Sequence, residues 1–244
     1  DKYSNYYDLL YQDKDYESEV SYILKIFDDY DLNGHSLLEF GSGTGIHGNL
    51  LSKSGFNIVG IEKSESMVKE AVESDGFCCL QDDIRTVRLD RSFDAVISLF
   101  HVFSYQTTNQ DVNGVLKSAN KHLEVGGLFI FDIWYSPAVL SIKPNVRVKR
   151  IQDNHIKITR VAEPTIIPNK NVVDVNYDIF IDDKIDNKII NISETHSMRH
   201  FSLPELDLFS HNNGFLRVGA EEFLTGNKPD SESWGTTIIL KKIG

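Results

Sequence analysis

Residues 37–45 read Leu-Leu-Glu-Phe-Gly-Ser-Gly-Thr-Gly. The apolar residues at the start of this stretch predict a short buried strand, and the alternating glycines predict a tight turn directly after it. Apolar residues resume at Ile46, Leu50 and Leu51 with the spacing of a helix face. A strand, a glycine turn and a helix in this order form the first half of a nucleotide-binding βαβ unit. Glycines in such a turn adopt positive φ angles and leave the backbone open to a ligand.

Two ligands compete for this turn. Residues 43–48 match the G-x-G-x-x-G pattern of dinucleotide-binding loops, and Glu62 stands where an acid that binds the ribose of NAD is expected. Glu39 argues against NAD, because a carboxylate just before Gly41 would face a pyrophosphate at close range. The same carboxylate can accept hydrogen bonds from an ammonium group. S-adenosylmethionine (SAM) carries an ammonium and no phosphate, so the register of the turn favours SAM.

Length, charge and composition limit the classes of protein to which the chain can belong. The chain has 244 residues, a formal charge of −11, a pI of about 5.1 and 41% hydrophobic residues, which suits one α/β domain with or without a lid. The acidic balance disfavours nucleic acid and an anionic membrane as partners, and no apolar run has the length of a spanning helix. Cys78 and Cys79 are adjacent, so they predict neither a disulfide nor a metal site. We expect a cytoplasmic protein without a metal, as a monomer or a homodimer.

Strands alternate with helices in the first part of the chain. Strands are predicted at 58–62, 77–80, 93–98 and 128–133, and helices at 15–30, 109–123 and 203–214. Segments 215–218 and 234–240 are predicted to close the sheet as an antiparallel pair. This order predicts an α/β fold with a doubly wound, mostly parallel, seven-stranded Rossmann-like sheet.

The pattern changes at about residue 145. Residues 145–200 alternate apolar and polar positions without helices between them, which predicts an antiparallel β-meander too small to be an independent domain. We therefore divide the chain into three parts. Residues 1–140 form the ligand-binding core with a tyrosine-rich arm, 141–200 form a lid, and 201–244 form the C-terminal helix and closing strands.

Residues at the ends of the predicted strands can hold SAM. Glu62 is expected to bind both ribose hydroxyls, because a carboxylate accepts two hydrogen bonds at once. Met67 is expected on the adenine face or in the core. Asp83, before the apolar Ile84, is expected to accept a hydrogen bond from the adenine amino group. Tyr16 in the arm is expected at the cofactor's carboxylate end.

The stretch Glu39–Gly45 closely resembles motif I, E/D-x-G-x-G-x-G, of the class I SAM-dependent methyltransferases. The resemblance continues in order with Gly60-Ile61-Glu62, Asp83-Ile84-Arg85, Phe93-Asp94-Ala95-Val96 and Gly126-Gly127. It implies a SAM site formed by Tyr16, Glu39, Gly41, Gly43, Gly45, Glu62, Met67, Asp83, Ile84 and Phe100.

Within that class the chain is similar to the N-methyltransferases of nucleotide-linked aminosugars. The matching runs are Tyr7-Asp8-Leu9, Lys14-Asp15-Tyr16, Asp132-Ile133-Trp134-Tyr135-Ser136-Pro137, Thr159-Arg160-Val161 and Glu194-Thr195-His196. The similarity implies methyl transfer to the amino group of such a sugar. The alternatives are an O-methyltransferase acting on a saccharide or other small metabolite, an NAD-dependent oxidoreductase, and a non-catalytic binding module on the same fold.

Methyl transfer requires alignment of the acceptor with the methyl group and, for an amine, a neutral nitrogen. Tyr7, His101 and Tyr105 are the candidates for a group that accepts a hydrogen bond from that nitrogen. The similar enzymes often carry a histidine where this chain has Tyr105, with His101 four residues earlier. The sequence therefore leaves the general base open.

Positive charge collects in the meander of this acidic chain. We expect Trp134, Tyr135, Arg160, His196 and Arg199 to bind the acceptor. Aromatic rings can stack on a base, and a guanidinium can hold a phosphate in a bidentate fork. Along a strand, residues 196, 198 and 200 share one face and 199 points to the other. The alternative is a set of solvated charges on an exposed sheet.

Overall fold

The computed structural model describes residues 10, 12–152, 155–184 and 188–243. The helices are α1 Tyr16–Asp29, α2 Ile46–Lys53, α3 Glu65–Glu70, α4 Asn109–Lys121, α5 Ser136–Ile142 and α6 Leu203–Asn212. The strands are β1 Ser36–Phe40, β2 Asn57–Glu62, β3 Phe77–Gln81, β4 Phe93–Ser98, β5 Leu123–Tyr135, β6 Arg147–Gln152, β7 Ile156–Ile167, β8 Val172–Asp183, β9 Lys188–Phe201, β10 Phe215–Glu222 and β11 Gly235–Lys242.

The main sheet has the strand order β3-β2-β1-β4-β5-β11-β10 within the described residues. The first five strands run parallel, while β11 pairs antiparallel with both β5 and β10. The order reverses at β1, between β2 and β4. These pairings confirm the predicted doubly wound, mostly parallel α/β sheet with a closing antiparallel pair.

Two apolar layers cover the faces of this sheet. Helix α4 buries Val112, Val115, Leu116 and Ala119 against one face, at the spacing of a helix that packs on one side. Helix α1 buries Val20, Ile23, Ile26 and Phe27 against the other. Because both faces are covered, the parallel strands are buried throughout, and their open ends are the places left for a ligand.

Strand β5 is longer than the predicted 128–133 and connects the main sheet to the meander. Its last two residues, Trp134 and Tyr135, pair parallel with His200 and Phe201 of β9. Strands β6, β7, β8 and β9 form the predicted antiparallel meander in sequence order. The meander therefore joins the core beyond the carboxyl end of β4. Its action as a lid stays a prediction.

The start of the described chain is tied to the meander rather than to the core. Leu10 is fully buried in an apolar cluster with Ile158, Ile179, Ile181 and Ile192. Lys149 Nζ on β6 donates hydrogen bonds of 2.6 Å to Leu10 O and to Asp13 Oδ1. The other tyrosines assigned to the arm, Tyr3, Tyr6, Tyr7 and Tyr11, lie outside the described residues. In the described part of the chain, no helix has the length and apolar character needed to cross a membrane.

Candidate functional site

A cavity of about 970 Å³ lies at the carboxyl ends of the parallel strands, between the strand-end loops and the meander. Most of the predicted site residues line it. They are Tyr16, Gly41, Gly43, Glu62, Met67, Asp83, Ile84, Phe100, His101, Tyr105, Trp134, Arg160 and His196. Strand-end loops supply one half of the lining, and β5, the β5–β6 connection and the meander supply the other. We call these the loop half and the meander half.

The glycine turn after β1 leaves room at one position and is closed at the others. Gly43 has a φ of +56° and open space where a Cβ would stand, so the backbone there can contact a ligand directly. A Cβ on Gly41 would lie 2.6 Å from Val102, and one on Gly45 would lie 2.4 Å from Phe77. Gly45 does not line the cavity. Its prediction as a cofactor contact is corrected to a packing role against Phe77.

Glu62 is held at the edge of this turn by two backbone groups. Its Oε2 accepts a hydrogen bond from Gly43 N–H at 3.0 Å, and its Oε1 accepts one from Ser64 N–H at 2.8 Å. Each carboxylate oxygen has a second lone pair. The carboxylate is thus fixed in orientation and still able to accept from two hydroxyl groups.

Asp83 lies in the part of the loop half that follows β3, and its carboxyl group is ionised. Arg85 binds it through Nε at 2.9 Å and Nη2 at 2.6 Å, and Lys63 Nζ lies 3.1 Å from its Oδ2. The hydrogen bonds from Arg85 hold the pKa of the Asp83 carboxyl well below its usual range. Arg85 also binds Asp111 of α4, which anchors the Asp83–Arg85 pair to the core.

Glu39 lies beneath the turn and outside the cavity lining. Its side chain is buried, and within the described residues its Oε2 has no hydrogen-bond partner. Burial, together with the nearby charge of Glu62, raises the pKa of Glu39 to about 8. An orphaned buried oxygen of this kind is costly unless a donor reaches it. A ligand ammonium group fits that need.

A polar cluster connects the start of the chain to the glycine turn. Lys14 Nζ binds Glu19 Oε2 at 2.6 Å, and the same oxygen lies 2.7 Å from His47 Nε2 on α2. The Lys14 ammonium also lies over the rings of Tyr16 and Phe100, at 4.2 and 3.9 Å from their centroids. Both rings line the cavity. The cation that they contact is Lys14 of the chain itself, and we call this the cation-facing end of the loop half.

His101 stands in the cavity wall and rests on a buried carboxylate. Its backbone N–H donates to both oxygens of Asp132 at 3.0 Å, and its Nδ1 lies 2.6 Å from Asp132 Oδ2. Burial alone would raise the pKa of Asp132, but the charge and hydrogen bonds of His101 outweigh it and lower that pKa. Asp132 is therefore ionised although fully buried. Asp132 belongs to the sequence run 132–137, but the sequence alone indicated no role for it in the site. The available signal was an acid inside the apolar run 128–133.

Tyr105 and His196 bring the core and the meander together across the cavity. Tyr105 Oη lies 2.8 Å from His196 Nδ1. His196 Nε2 lies 3.4 Å from Glu194 Oε2, and the Tyr177 ring meets the imidazole edge-on at 4.9 Å. Arg160 lies over the Tyr177 ring at 5.2 Å. The predicted residues of β7 and β9 thus converge on one wall.

Two residues predicted to bind the acceptor lie elsewhere. Tyr135 is buried in the core, because neighbouring strand residues point to opposite faces and Trp134 takes the cavity side. Arg199 is buried beside the rings of Phe201 and Phe209 and pairs with Glu205. Both predictions are corrected to structural roles. His200 shares the face of His196, but it is buried with its Nδ1 2.8 Å from Ser136 Oγ.

Residues 37–127 match the family model described as a methyltransferase domain. This match and the fold define the class of that range: residues 37–127 form a SAM-dependent methyltransferase domain on a Rossmann-like sheet. The class and the cofactor predicted from the glycine turn are thereby confirmed. The carboxylates of Glu39 and Glu62 at the turn also suit a cationic ligand better than a pyrophosphate.

The chain is also similar in sequence to an enzyme that modifies an aminosugar. A dTDP-3-amino-3,4,6-trideoxy-alpha-D-glucopyranose N,N-dimethyltransferase of Streptomyces venezuelae is 33% identical over 138 residues. That alignment covers 55% of this chain and 58% of the relative, so the two agree over little more than half of their lengths.

Two solved structures share the fold over nearly the whole chain. Streptomyces venezuelae DesVI has a TM-score of 0.81 at 24% identity and covers 98% of both chains. SAM-bound CalS10, an amino pentose methyltransferase from Micromonospora echinaspora, has a TM-score of 0.75 at 20% identity and covers 94% of this chain and 92% of its own. The predicted resemblance to aminosugar N-methyltransferases is confirmed as a resemblance.

Proposed function

We propose that the protein transfers a methyl group from SAM to the amino group of a nucleotide-linked aminosugar. The observation that carries this proposal is the charge of the meander half. In a chain of net charge −11, this half presents Lys143, Arg147, Arg160 and His196 to the cavity, with Glu194 as its acid. A cationic wall in an acidic protein suits an anionic acceptor.

The loop half suits SAM. Glu62 would take the ribose hydroxyls, Asp83 and Ile84 the adenine, and Met67 the face of the adenine ring. Tyr16, Phe100 and the buried Glu39 would surround the cationic end. When bound, SAM supplies an activated methyl group, so the contribution of the protein is to position the acceptor nitrogen and keep it unprotonated.

The meander half suits a nucleoside diphosphate. Arg147 and Arg160 can each hold phosphate oxygens in a bidentate fork. Trp134 lines the cavity between His101 and Trp234, with ring contacts of 6.2 and 5.6 Å, and offers an apolar surface for a sugar or a base. Tyr105 and His196 add a hydrogen-bonding pair at the junction of the two halves. The name of the Streptomyces venezuelae relative, a dTDP-aminosugar N,N-dimethyltransferase, agrees with this reading.

The lid role of the meander belongs to the same proposal. Residues 141–200 would cover the acceptor, and Lys149 would couple this lid to the start of the chain through Leu10 and Asp13. The division at residues 140 and 200 is part of this proposal; residue 140 lies within α5 and residue 200 lies one residue before the end of β9. A cytoplasmic location and a monomer or homodimer complete the proposal.

A screen of dTDP- and UDP-linked aminosugars, with release of S-adenosylhomocysteine as the readout, tests the function. We expect turnover of at least one of them and none of the matching hydroxy sugars. Turnover of the hydroxy sugar instead would show O-methylation. No turnover of either set, with SAM bound normally, would contradict the proposal.

A further inference from the structure

The loop after β4 places a histidine, His101, in the cavity wall with its Nδ1 against the buried carboxylate of Asp132. We propose that His101 is the base that takes the proton from the ammonium form of the acceptor, and that Asp132 is the residue that positions it. This inference rests on the proposed N-methyl transfer and names the group that makes the acceptor nitrogen nucleophilic.

The backbone of this loop supports the assignment. Phe100 and His101 have φ angles of +64° and +61°, a conformation that residues with a Cβ adopt rarely. The two hydrogen bonds from His101 N–H to Asp132 hold the residue there. The unusual conformation places the imidazole in the cavity wall, against Trp134.

The ring is oriented by its contact with Asp132. Nδ1 lies 2.6 Å from the buried Oδ2, off the line of a hydrogen bond among the described residues. A carboxylate at this distance favours the tautomer with its proton on Nδ1 and a lone pair on Nε2. The proton transfer then breaks one bond and forms one bond. An N–H bond of the acceptor ammonium breaks, its electron pair stays on nitrogen, and the proton binds to the Nε2 lone pair. The resulting imidazolium lies against the ionised Asp132, which stabilises its charge.

The second polar pair of the cavity is arranged differently. Tyr105 Oη is bonded to His196 Nδ1, and Glu194 Oε2 on the same strand lies 3.4 Å from His196 Nε2. Glu194 is partly exposed, whereas Asp132 is fully buried. His196 is therefore held by Tyr105 and lies near a partly exposed carboxylate, and we assign it to binding the acceptor. Three histidines of the described chain line the cavity. His47 has its Nε2 bonded to Glu19 and His196 has its Nδ1 bonded to Tyr105, whereas His101 has its Nδ1 against Asp132 and its Nε2 on the other side of the ring. We therefore assign the proton transfer to His101.

Other ionisable groups also reach the His101–Asp132 pair. Lys14 from the start of the chain, Tyr22 from α1 and His47 from α2 interact electrostatically with Asp132. A change in the pH profile is therefore assigned to His101 only if it follows substitution of His101 or Asp132 and is absent from a matched histidine variant. His211, exposed on α6, provides that control.

Nitrogen NMR of the imidazole rings tests the orientation without any ligand. In the wild-type protein we expect neutral His101 to carry its proton on Nδ1. In Asp132→Asn the amide can donate to Nδ1, so the proton should move to Nε2. A ring that already carries its proton on Nε2 in the wild type would overturn the positioning role. This result is independent of whether any aminosugar is methylated.

Kinetics with the aminosugar found in the screen test the base. His101→Gln should lower kcat about 10²-fold or more with little change in KM, and His211→Gln should change neither. His101→Gly is compatible with the positive φ at this position, and added imidazole should restore part of its kcat. Asp132→Asn should lower kcat about 10²-fold and remove the acidic limb of the pH profile.

Loss of activity confined to KM, or a His101→Gln kcat within about threefold of the wild type, would overturn the proposal. A failure to find any methylated aminosugar would count against the proposed function and leave the NMR result standing. The two failures are therefore distinguishable.

Discussion

The two halves of the cavity are built by different means. The loop half consists of turns at the ends of parallel strands, where backbone N–H groups fix Glu62 and ion pairs fix Asp83. The meander half consists of side chains on long antiparallel strands, where cations project from alternating positions. In the loop half, backbone geometry selects the ligand. In the meander half, side chains select it. A substitution should therefore disturb one ligand and spare the other.

The largest effect on the binding of one ligand alone is expected from a substitution in the loop half. Glu62→Ala removes the acceptor of two ribose hydroxyls and should weaken SAM binding by about 1–3 kcal/mol, measured by calorimetry. Glu65→Ala is the matched control, because Glu65 is exposed on α3 and pairs only with Lys69 among the described residues. Unchanged SAM affinity in Glu62→Ala would break the assignment of this half.

In the meander half, Arg160→Ala should raise the acceptor KM about tenfold or more and leave SAM affinity unchanged, because a phosphate loses a charge-assisted hydrogen bond. His196→Ala should act in the same direction. Arg150→Ala is the control, since Arg150 is exposed on β6 and lies outside the cavity lining. If neither cavity variant alters KM or kcat, the charges are solvated and the meander is structural.

The buried Glu39 should make the affinity for SAM depend on pH. Burial holds its pKa at about 8, so the carboxyl is neutral below that pH, whereas an ammonium ligand prefers it ionised. SAM affinity should therefore rise with pH towards about pH 8, by up to about tenfold per unit, and fall again above it as the amino group of SAM loses its proton. Glu39→Gln should bind SAM more weakly and lose the rising part of this profile. An equal slope in both proteins would assign the titration to another group.

The smallest effect concerns the contact between the start of the chain and the meander. Hydrogen exchange across residues 12–16 should slow when SAM binds, because Lys14 and Tyr16 belong to the cation-facing end of the loop half. Lys149→Ala removes two hydrogen bonds and should raise exchange there by a few fold in the free protein. Equal protection with and without SAM would leave this segment merely structural.

The comparison also explains what the sequence could predict. Glycine spacing and strand-end acids are local signals, so the turn, Glu62 and Asp83 were predicted at the cavity. Tyr135 and Arg199 were misplaced because their positions depend on strand phase, and composition cannot show which of two neighbours faces a ligand. Gly45 was misassigned because Phe77, its packing partner, is distant in sequence. The Asp132 contact with His101 likewise depends on two strands that pair only in the folded sheet.

Titration of dTDP into protein saturated with S-adenosylhomocysteine tests the central claim that one cavity holds a cofactor half and an anionic acceptor half. The account predicts that dTDP binds without displacing S-adenosylhomocysteine, and that Arg160→Ala weakens dTDP binding while leaving S-adenosylhomocysteine binding unchanged. Competition between the two ligands, or an equal loss of both in Arg160→Ala, would contradict it.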